Sequence, residues 1–537
     1  MLFFIVALFA LTGSLVETPL VAHAAIQDQT IYVDNGSAAA SDTNPGTQGA
    51  PLRTIGEAVH RALDARSGGV GTDIIIEPGV YREQLQIHGD ASSAASISIE
   101  GIGDVVVSGS DPWREGWKRA GSTFVHQWPY DWGKAPIPDS WRFVKPLLQT
   151  KNGALIQRRE IVFFKGRLLR QVLRQREMAH FPAAFYVSQS KNKLFVKLPP
   201  GGRPANGTIE IGVRPTLLDV DNMSGLTIRN LVFEHANSPL GGQAALLNNS
   251  ADIQIDDSSF RLNNWRGLQI SNSSNITIAR SDFNQNGIGG IEGDKITNLT
   301  MNHVTASRNN WRGWWAGFTV WTVGQKFHSL RDSTFHDYRA TGNKAHGLWL
   351  DFDNSNVVVD GATLKNNYGH GIFFDGDQGP ITFENSTSCK NRNGVFAANS
   401  ENITLTNDQI ADNQVFAIYL SGLFNDPRPI KDSFTGEVRK VVSENWAIHD
   451  TELIDGHGAE FLFGTVLSTD RWRDFASTLS SGSNTWYNPV RKRPFQIVRG
   501  KGDTYTRPLV DFEGWKAETG QDRTSRYRRP GDFNSLC

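Results

Sequence analysis

Residues 268–290 read LQISNSSNITIARSDFNQNGIGG, and residues 291–313, which follow directly, read IEGDKITNLTMNHVTASRNNWRG. Both segments contain short runs in which apolar and polar residues alternate, such as the run around Ile276 and Ile278, with Asn, Ser and Gly between the runs. An alternation with a period of two is typical of a β-strand that has one buried face. Strands this short cannot bury that face alone, so consecutive segments are expected to stack on one another.

The pattern recurs along the chain in units of 22 to 24 residues. The pentapeptide Asn263–Gly267 (NNWRG), for example, returns as Asn309–Gly313 after 46 residues. Such a repeat predicts an all-β chain folded as a right-handed parallel β-helix, with like positions of consecutive coils about 4.8 Å apart. A leucine-rich horseshoe would need a Leu-x-x-Leu-x-Leu spine, which these repeats lack. Asparagines expected at coil corners, in left-handed geometry and bonded along the stack, are Asn263, Asn309, Asn367 and Asn391.

The rest of the chain departs from this period. Pro51–Ile55 (PLRTI) leads into a predicted amphipathic helix that runs to about Asp64 and caps the open end of the stack. Beyond about Trp113, two hairpin-like segments, 161–169 and 185–198, indicate an inserted β subdomain. We therefore divide the chain into a signal peptide (1–24), an N-terminal cap with the first coils (25–112), the inserted β subdomain (113–215), the main β-helix (216–470) and C-terminal coils with a tail (471–537).

Composition and the first residues indicate an exported protein. The 537 residues carry 54 basic and 55 acidic side chains, and this balance argues against a nucleic-acid partner. Residues 2–12 are apolar but too short to span a bilayer, and Ala22–Ala24 fits signal-peptide cleavage, so we expect a secreted or periplasmic protein without a membrane span. Cys389 and Cys537 allow one disulfide, although two unpaired thiols are favoured.

Two consecutive repeats share more than apolar periodicity. His346–Asp353 (HGLWLDFD) matches His370–Asp377 (HGIFFDGD), 24 residues further on. Because side chains alternate along a strand, Asp351 and Asp375 are expected on the outer face, as vertical neighbours with Cα atoms about 5 Å apart. The residues expected to point inward are Leu348, Leu350, Ile372 and Phe374, and those expected to point outward with the two aspartates are Trp349 and Phe373.

Adjacent carboxyl groups repel each other, so one member of the Asp351/Asp375 pair should have a raised pKa and act as a proton donor beside an ionised carboxylate. Carboxyl groups about 5–5.5 Å apart are what a retaining glycosidase needs. Trp349 and Phe373 would then form a wall against which a sugar ring packs. Two alternatives are a merely solvated outer face, and a calcium site with oxygen ligands from Asp351, Asp353, Asp375 and Asp377.

Further residues are candidates for substrate binding. Lys326, just before the pair, either contacts a hydroxyl or a carboxylate of the substrate or is an exposed lysine without a specific role. His346 and His370 either bind substrate or hydrogen-bond the turn backbone at coil corners. Trp315, in the tryptophan-rich stretch 314–321, either packs or offers a sugar platform. Asp294 would extend the acidic row, since it falls three residues after Ile291 as Asp351 does after Leu348, although the long coil 314–347 separates them. Glu292 is a similar candidate.

At these residues the chain resembles the secreted right-handed β-helix carbohydrate-active enzymes of the pectate-lyase-like superfamily. Within them it is most similar to glycoside hydrolase family 120 β-xylosidases. The resemblance includes Pro78–Glu83 (PGVYRE) and Trp349–Asp351 (WLD). It implies that Asp351 is the nucleophile and that Asp375 occupies the place of the acid/base. The family has Glu at that place, and Asp shortens the reach by one methylene, roughly 1.5 Å.

The combined expectation is an exported retaining glycoside hydrolase that acts on a polysaccharide or oligosaccharide and needs no cofactor. One alternative is a Ca²⁺-dependent polysaccharide lyase acting on uronate-containing glycans, in which Lys326 or His370 abstracts the C5 proton of the uronate. The other is a non-catalytic glycan-binding β-helix protein.

Overall fold

The computed structural model describes residues 28–139, 141, 145–205, 208–313, 324–422, 426–458, 460–501, 504–529 and 537. The predicted signal peptide (1–24) and the candidate Trp315 lie outside the described residues. Within those ranges, no helix is long and apolar enough to cross a bilayer.

Parallel pairing between consecutive coils confirms the all-β, right-handed parallel β-helix. Strand Arg266–Ala279 pairs with Gly289–Asn302 so that Leu268 lies beside Ile291, one repeat further along. The inward apolar side chains of all coils form one continuous buried core. The largest sheet contains Gln29–Val33, Thr72–Ile76, Leu85–His88, Ile97–Gly101, Leu218–Asp221, Ser224–Arg229, Gln243–Asn248, Ala251–Asp256, Arg266–Ala279, Gly289–Asn302, Lys326–His336, Leu348–Asp351, Ser355–Asp360, Ile372–Asp375, Ile381–Glu384, Asn393–Ala398, Ile403–Thr406, Phe416–Ser421, Ala447–His449, Phe461–Thr465, Ser480–Gly482, Phe495–Gln496 and Leu509–Val510.

Two shorter parallel sheets form another face of the β-helix. In the first of them Phe233 pairs with Val107 of the preceding coil and with Phe260 of the next. Its strands are Gly79–Tyr81, Val105–Ser108, Val232–Glu234 and Ser259–Arg261, and those of the second sheet are Arg339–Thr341, Thr363–Lys365, Thr387–Cys389, Gln409–Ala411, Glu452–Ile454, Thr485–Tyr487 and Arg526–Tyr527.

A ladder of buried asparagines joins the coil corners. The side-chain amide of Asn263 donates to Oδ1 of Asn286 at 3.1 Å, and that of Asn367 donates to Oδ1 of Asn391 at 3.0 Å. The residue with positive φ is the one before the ladder position, for example Leu262 at 55°. The expected bonding along the stack is confirmed, but the left-handed geometry was assigned to the wrong residue, because the ladder amide must point inward to reach its neighbour.

Helix Ile55–Ser67 covers the first coils, and it extends beyond the expected end at Asp64. It begins where the Thr54 hydroxyl accepts the backbone N–H of Glu57, an ordinary N-cap. Its apolar side joins the main core, which shields the end of the sheet from pairing with another chain. The buried apolar residues of this helix are Ile55, Ala58, Val59 and Ala62.

The chain leaves the β-helix at Ser110–Pro112 and returns at Ile209–Gly212, and these two strands pair antiparallel. Arg312, from the repeated pentapeptide, ties this insertion to the coils by donating to Gln171 at 2.6 Å and to Asn264 at 2.8 Å. The other strands of the insertion are Lys118–Ala120, Thr123–Gln127, Val162–Phe164, Arg167–Leu168, Arg170–Gln171, Ala184–Ser188 and Lys193–Lys197, and its helices are Lys145–Leu148, Lys151–Ile156 and the 3₁₀ turn Gln175–His180. The later part of the chain adds helices Thr469–Thr478 and Phe512–Thr519 and the hairpins Arg428–Lys431 with Val438–Val441 and Arg499–Lys501 with Thr504–Thr506.

Cys389 and Cys537 are joined in a disulfide, which corrects the expectation of two unpaired thiols. Repeat spacing could not reveal this bond, because the two residues are separated by 148 positions and only the folded chain brings their Cα atoms to 6.3 Å. The backbone carbonyl of Cys537 also accepts a hydrogen bond from Nζ of Lys390 at 2.9 Å. The final residue of the chain is therefore fastened to the β-helix.

Replacing the buried Asp408 with Asn is expected to stabilise the protein at pH 8. Burial raises the pKa of Asp408 to about 9, whereas an unfolded Asp titrates near 4. The folded state therefore binds more protons between these values, and stability falls as the pH rises through that window. Asn retains the oxygen that accepts the Ser386 N–H at 2.9 Å, so the gain at pH 8 should be roughly 1–3 kcal/mol, or a few degrees in Tm. Thermal unfolding of both proteins at pH 4 and pH 8 measures it, with the exposed Asp252→Asn as control, and an equal effect at the two pH values would contradict the expectation.

Candidate active site

The predicted aspartate pair lies on neighbouring coils. Strand Leu348–Asp351 pairs in parallel with Ile372–Asp375, in a register that sets Asp351 beside Asp375. Adjacent rungs of a parallel sheet are about 4.8 Å apart, so the backbones of the two aspartates have about that spacing and their side chains project from the same side. Leu348, Leu350, Ile372 and Phe374 point into the core, as expected.

The outer face around the pair is buried, not solvated. Asp351 is 2% exposed and Asp375 is 3% exposed. Phe373 stacks on the Trp349 ring with centroids 5.0 Å apart, and Nζ of Lys326, on the preceding coil, lies 4.2 Å from the centroid of the same ring. Both faces of Trp349 are thus covered by its coil neighbours. Stacking of the coils makes these rings a packed layer, and their role as a wall for a sugar ring stays a prediction.

Lys326 provides the positive charge beside Asp351. It lies one coil earlier, in register with Trp349, and its Nζ contacts Oδ2 of Asp351. The other oxygen, Oδ1 of Asp351, is buried and has no hydrogen-bond partner among the residues that the structure describes. An unpaired buried acceptor destabilises a protein by about 1–3 kcal/mol, and such atoms are found at reactive and ligand-binding positions.

Asp375 has a different environment. Nη1 of Arg428 lies 2.5 Å from its Oδ1. Burial and the neighbouring Asp351 nevertheless raise the pKa of Asp375 to about 7, because their combined effect exceeds that of the Arg428 cation. Near neutral pH, Asp375 is therefore able to hold and release a proton directly beside a second carboxyl group.

Asp353 and Asp377 accept hydrogen bonds from other residues of the protein. Oδ1 of Asp353 accepts from Nη2 of Arg331 at 2.7 Å, and its Oδ2 accepts the backbone N–H of Ser433 at 2.7 Å. Asp377 accepts the side-chain amide of Asn354 at 2.7 Å, so Asn354 and not Asp353 is its neighbour in the stack. In the described ranges, no group of three or more His, Cys, Asp or Glu is arranged to hold a metal ion. The four aspartates of the calcium alternative are thus divided between different partners.

The two histidines lie inside a coil corner. Their rings stack with centroids 4.8 Å apart, and Nδ1 of His346 accepts the backbone N–H of His370 at 3.0 Å. Burial lowers the pKa of His346 to about 3 and that of His370 well below its usual range. The glycine after each histidine is required by close approach, since a Cβ on Gly347 would lie 2.5 Å from the carbonyl oxygen of Gly371. This geometry favours the turn-supporting role of the histidines over substrate binding.

The coils before the aspartate pair carry further charged side chains on the same outer face. Glu292 is in register with Lys326, and its Oε2 lies 2.5 Å from Nε of Arg266. Burial raises the pKa of Glu292. Asp294 shares a column with the pair, but His328 lies between them in the stack, with its Nδ1 3.0 Å from Oδ1 of Asp294. The acidic row therefore does not continue to Asp294.

Sequence reasoning missed Arg428. This residue begins the hairpin Arg428–Lys431 with Val438–Val441, which lies over the outer face of the pair and also supplies Ser433 to Asp353. The Arg428 guanidinium packs 4.1 Å from the centroid of the Phe352 ring. No local signal identifies it, because it is 53 residues from Asp375 in a segment that interrupts the repeat.

Comparisons with known proteins agree with this architecture. The family described as right handed beta helix region matches residues 216–337 and 243–410. The structure is similar to XylC in its complex with xylose, with a TM-score of 0.67 and 15% identity over 89% of each chain. It is also similar to a protein described as a glycoside hydrolase, with a TM-score of 0.54 and 11% identity over 85% of this chain and 96% of the other. At these identities the likeness establishes the fold. No curated protein matches the chain.

Proposed function

We propose that the protein is an exported retaining glycoside hydrolase, with Asp351 as nucleophile and Asp375 as acid/base. The observation that carries the proposal is the pair of buried aspartates on adjacent rungs, one of which has a pKa raised to about 7. Two carboxyl groups about 5 Å apart, one protonated and one ionised, are the requirement of retaining glycoside hydrolysis. The named function of the similar structures, a complex with xylose and a glycoside hydrolase, supports a sugar substrate.

In the first step, the Asp375 carboxylic acid gives its proton to the glycosidic oxygen while an oxygen of Asp351 bonds to the anomeric carbon. The bond between that carbon and the leaving oxygen breaks, and a glycosyl–Asp351 ester remains. In the second step, the Asp375 carboxylate takes a proton from water, and the water oxygen displaces Asp351. Oδ2 of Asp351 contacts Lys326, whereas Oδ1 has no hydrogen-bond partner among the described residues, which supports Oδ1 as the attacking oxygen in this proposal.

The charges around the pair favour a neutral sugar over a uronate. Each nearby buried cation already contacts a carboxylate: Lys326 pairs with Asp351, Arg428 with Asp375, and Arg266 with Glu292. Because these cations already have carboxylate partners, a uronate carboxylate would be buried without a cation of its own among the described residues, which is unfavourable. A lyase would also need an accessible base, whereas His370 is enclosed between stacked rings. The lyase alternative is therefore the weaker one.

Product stereochemistry tests the proposal. Hydrolysis of a panel of neutral β- and α-linked oligosaccharides and aryl glycosides, followed by ¹H NMR, should first show the reducing sugar in the anomeric configuration of the substrate. Inversion would exclude Asp351 as nucleophile. An unsaturated, ultraviolet-absorbing product from polygalacturonate or alginate would instead establish a lyase, and binding without any product would establish a glycan-binding protein.

A further inference from the structure

A cleft lies away from the aspartate pair, where the insertion meets the β-helix. It has a volume of about 390 Å³ and is lined by residues of the strands Val232–Glu234 and Ser259–Arg261, by Asp282 and Arg308 of the next two coils, and by Gly166 from a hairpin of the insertion. These strands belong to a different sheet from the one that carries Asp351 and Asp375. The volume falls in the range of small-molecule sites, about 300–1,000 Å³.

His235 forms the buried wall of this cleft, and its tautomer follows from its contacts. Oγ of Ser110 donates to Oε2 of Glu210 at 2.6 Å, and Nη1 of Arg82 lies 3.3 Å from the same carboxylate oxygen. The hydroxyl proton of Ser110 is therefore donated to Glu210. In the 3.0 Å contact with His235, Nδ1–H must be the donor and Oγ of Ser110 the acceptor. In the neutral ring, Nε2 is then an acceptor with a free lone pair.

The imidazole is held firmly in this orientation. Phe163 stacks on it with ring centroids 3.6 Å apart, and His235 itself has a φ of 68°, which is uncommon for a residue other than glycine. The residue is 3% exposed, and burial lowers the pKa of its ring, which favours the neutral form. Its Nε2 is buried without a hydrogen-bond partner among the described residues, and the carboxylate of Glu234 is 3.7 Å away, too far for a hydrogen bond.

The groups around Nε2 select the chemistry of the ligand. A buried acceptor needs a donor, and the lining balances two carboxylates, Glu234 and Asp282, with two guanidiniums, Arg261 and Arg308, so it has no net charge that would attract an anionic glycan. The Glu234–Arg261 pair, with Oε2 2.9 Å from Nε, presents an acceptor and several donors side by side. Neighbouring hydroxyl groups of a sugar match such a set, because each hydroxyl both donates and accepts. No metal is implied, since the described residues hold no cluster of three ligating side chains.

We propose that this cleft is a second, non-catalytic glycan-binding site, which takes a neutral sugar residue through a hydroxyl that donates to Nε2 of His235. The Glu234–Arg261 pair binds the adjacent hydroxyls. The cleft and the aspartate pair lie on different sheets of the β-helix. The cleft therefore holds a glycan chain, either the substrate itself or a neighbouring glycan of the same kind, independently of turnover at Asp351.

Isothermal titration calorimetry with the full-length Asp351→Asn protein tests the site, because it measures both the affinity and the number of binding sites. The probes are xylotetraose, cellotetraose, mannotetraose and galactotetraose, with tetragalacturonate as the anionic comparison. At least one neutral tetrasaccharide is expected to bind at two sites, and His235→Phe should weaken one of them at least tenfold while the other is unchanged. Tetragalacturonate should not occupy the His235 site. If His235→Phe fails to fold, as judged by circular dichroism, Arg261→Ala replaces it with the same expectation.

Arg280→Ala is the matched control, because Arg280 is exposed and forms an ion pair with Asp257 outside the cleft. It should leave both affinities as they were. Binding of none of the neutral tetrasaccharides, or binding that neither His235→Phe nor Arg261→Ala weakens, overturns the proposal. Hydrolytic activity of the unaltered chain is measured separately, so failure of this site and failure of the proposed hydrolase function are distinguished.

Discussion

Asp351→Asn is expected to lower kcat for glycoside hydrolysis by about 10³-fold or more, with the fold retained. The amide has nearly the shape of the carboxylate, but it is a poor nucleophile and cannot form the glycosyl ester. The loss should appear with activated aryl glycosides as well, because nucleophilic attack is needed whatever the leaving group is. Steady-state kinetics on an aryl glycoside and on an oligosaccharide measure the effect.

Asp294→Asn is the matched control for this variant. Asp294 lies in the same column, two coils earlier, and its side chain is 52% exposed. Its replacement should change kcat by less than twofold. Circular dichroism and Tm establish that Asp351→Asn is folded, since Lys326 loses the charge that it contacts. A folded Asp351→Asn protein with kcat within tenfold of the unaltered chain would remove Asp351 from the reaction.

Asp375→Asn is expected to lower kcat/KM for unactivated glycosides by about 10²–10⁴-fold, the usual contribution of a positioned general acid. An aryl glycoside with a good leaving group needs little protonation, so its glycosylation step should be far less affected. Azide, which requires no general base, should then restore turnover and release a glycosyl azide of retained configuration. Equal losses on both classes of substrate, with no effect of azide, would contradict the acid/base role.

The pH dependence of kcat/KM provides a second readout for Asp375. The acid must be protonated, and its pKa is about 7, so the rate should fall as the pH rises through 7. Arg428 lowers this pKa, and Arg428→Gln should therefore move the basic limb to higher pH. Arg439→Gln, on the same hairpin with a side chain 56% exposed, should leave the limb in place. If Arg428→Gln leaves the basic limb at the same pH, Arg428 does not influence the pKa of the general acid.

Much of the site could be predicted from local periodicity. The 24-residue offset between His346–Asp353 and His370–Asp377 is one coil, so equal offsets within the motif predict vertical neighbours, and Asp351 does lie beside Asp375. The same logic failed two residues later. Asn354 and not Asp353 lies beside Asp377, because the turn after Asp351 contains two left-handed residues, Phe352 and Asp353. Periodicity describes strands well and turns poorly.

The sequence by itself determined three features: the repeating strand pattern, the face of each strand that points inward, and the two acids that are neighbours. The reason is that a period of two and a coil of constant length leave only one register that buries the apolar face. Only the tertiary structure decided how the outer face is covered. Arg428 lies 53 residues from Asp375 in the sequence, and the Cys389–Cys537 bond joins positions 148 residues apart. The charge around Asp375 depends on the Arg428 contact, which no repeat encodes, since the electrostatic environment is set by what packs nearby in space.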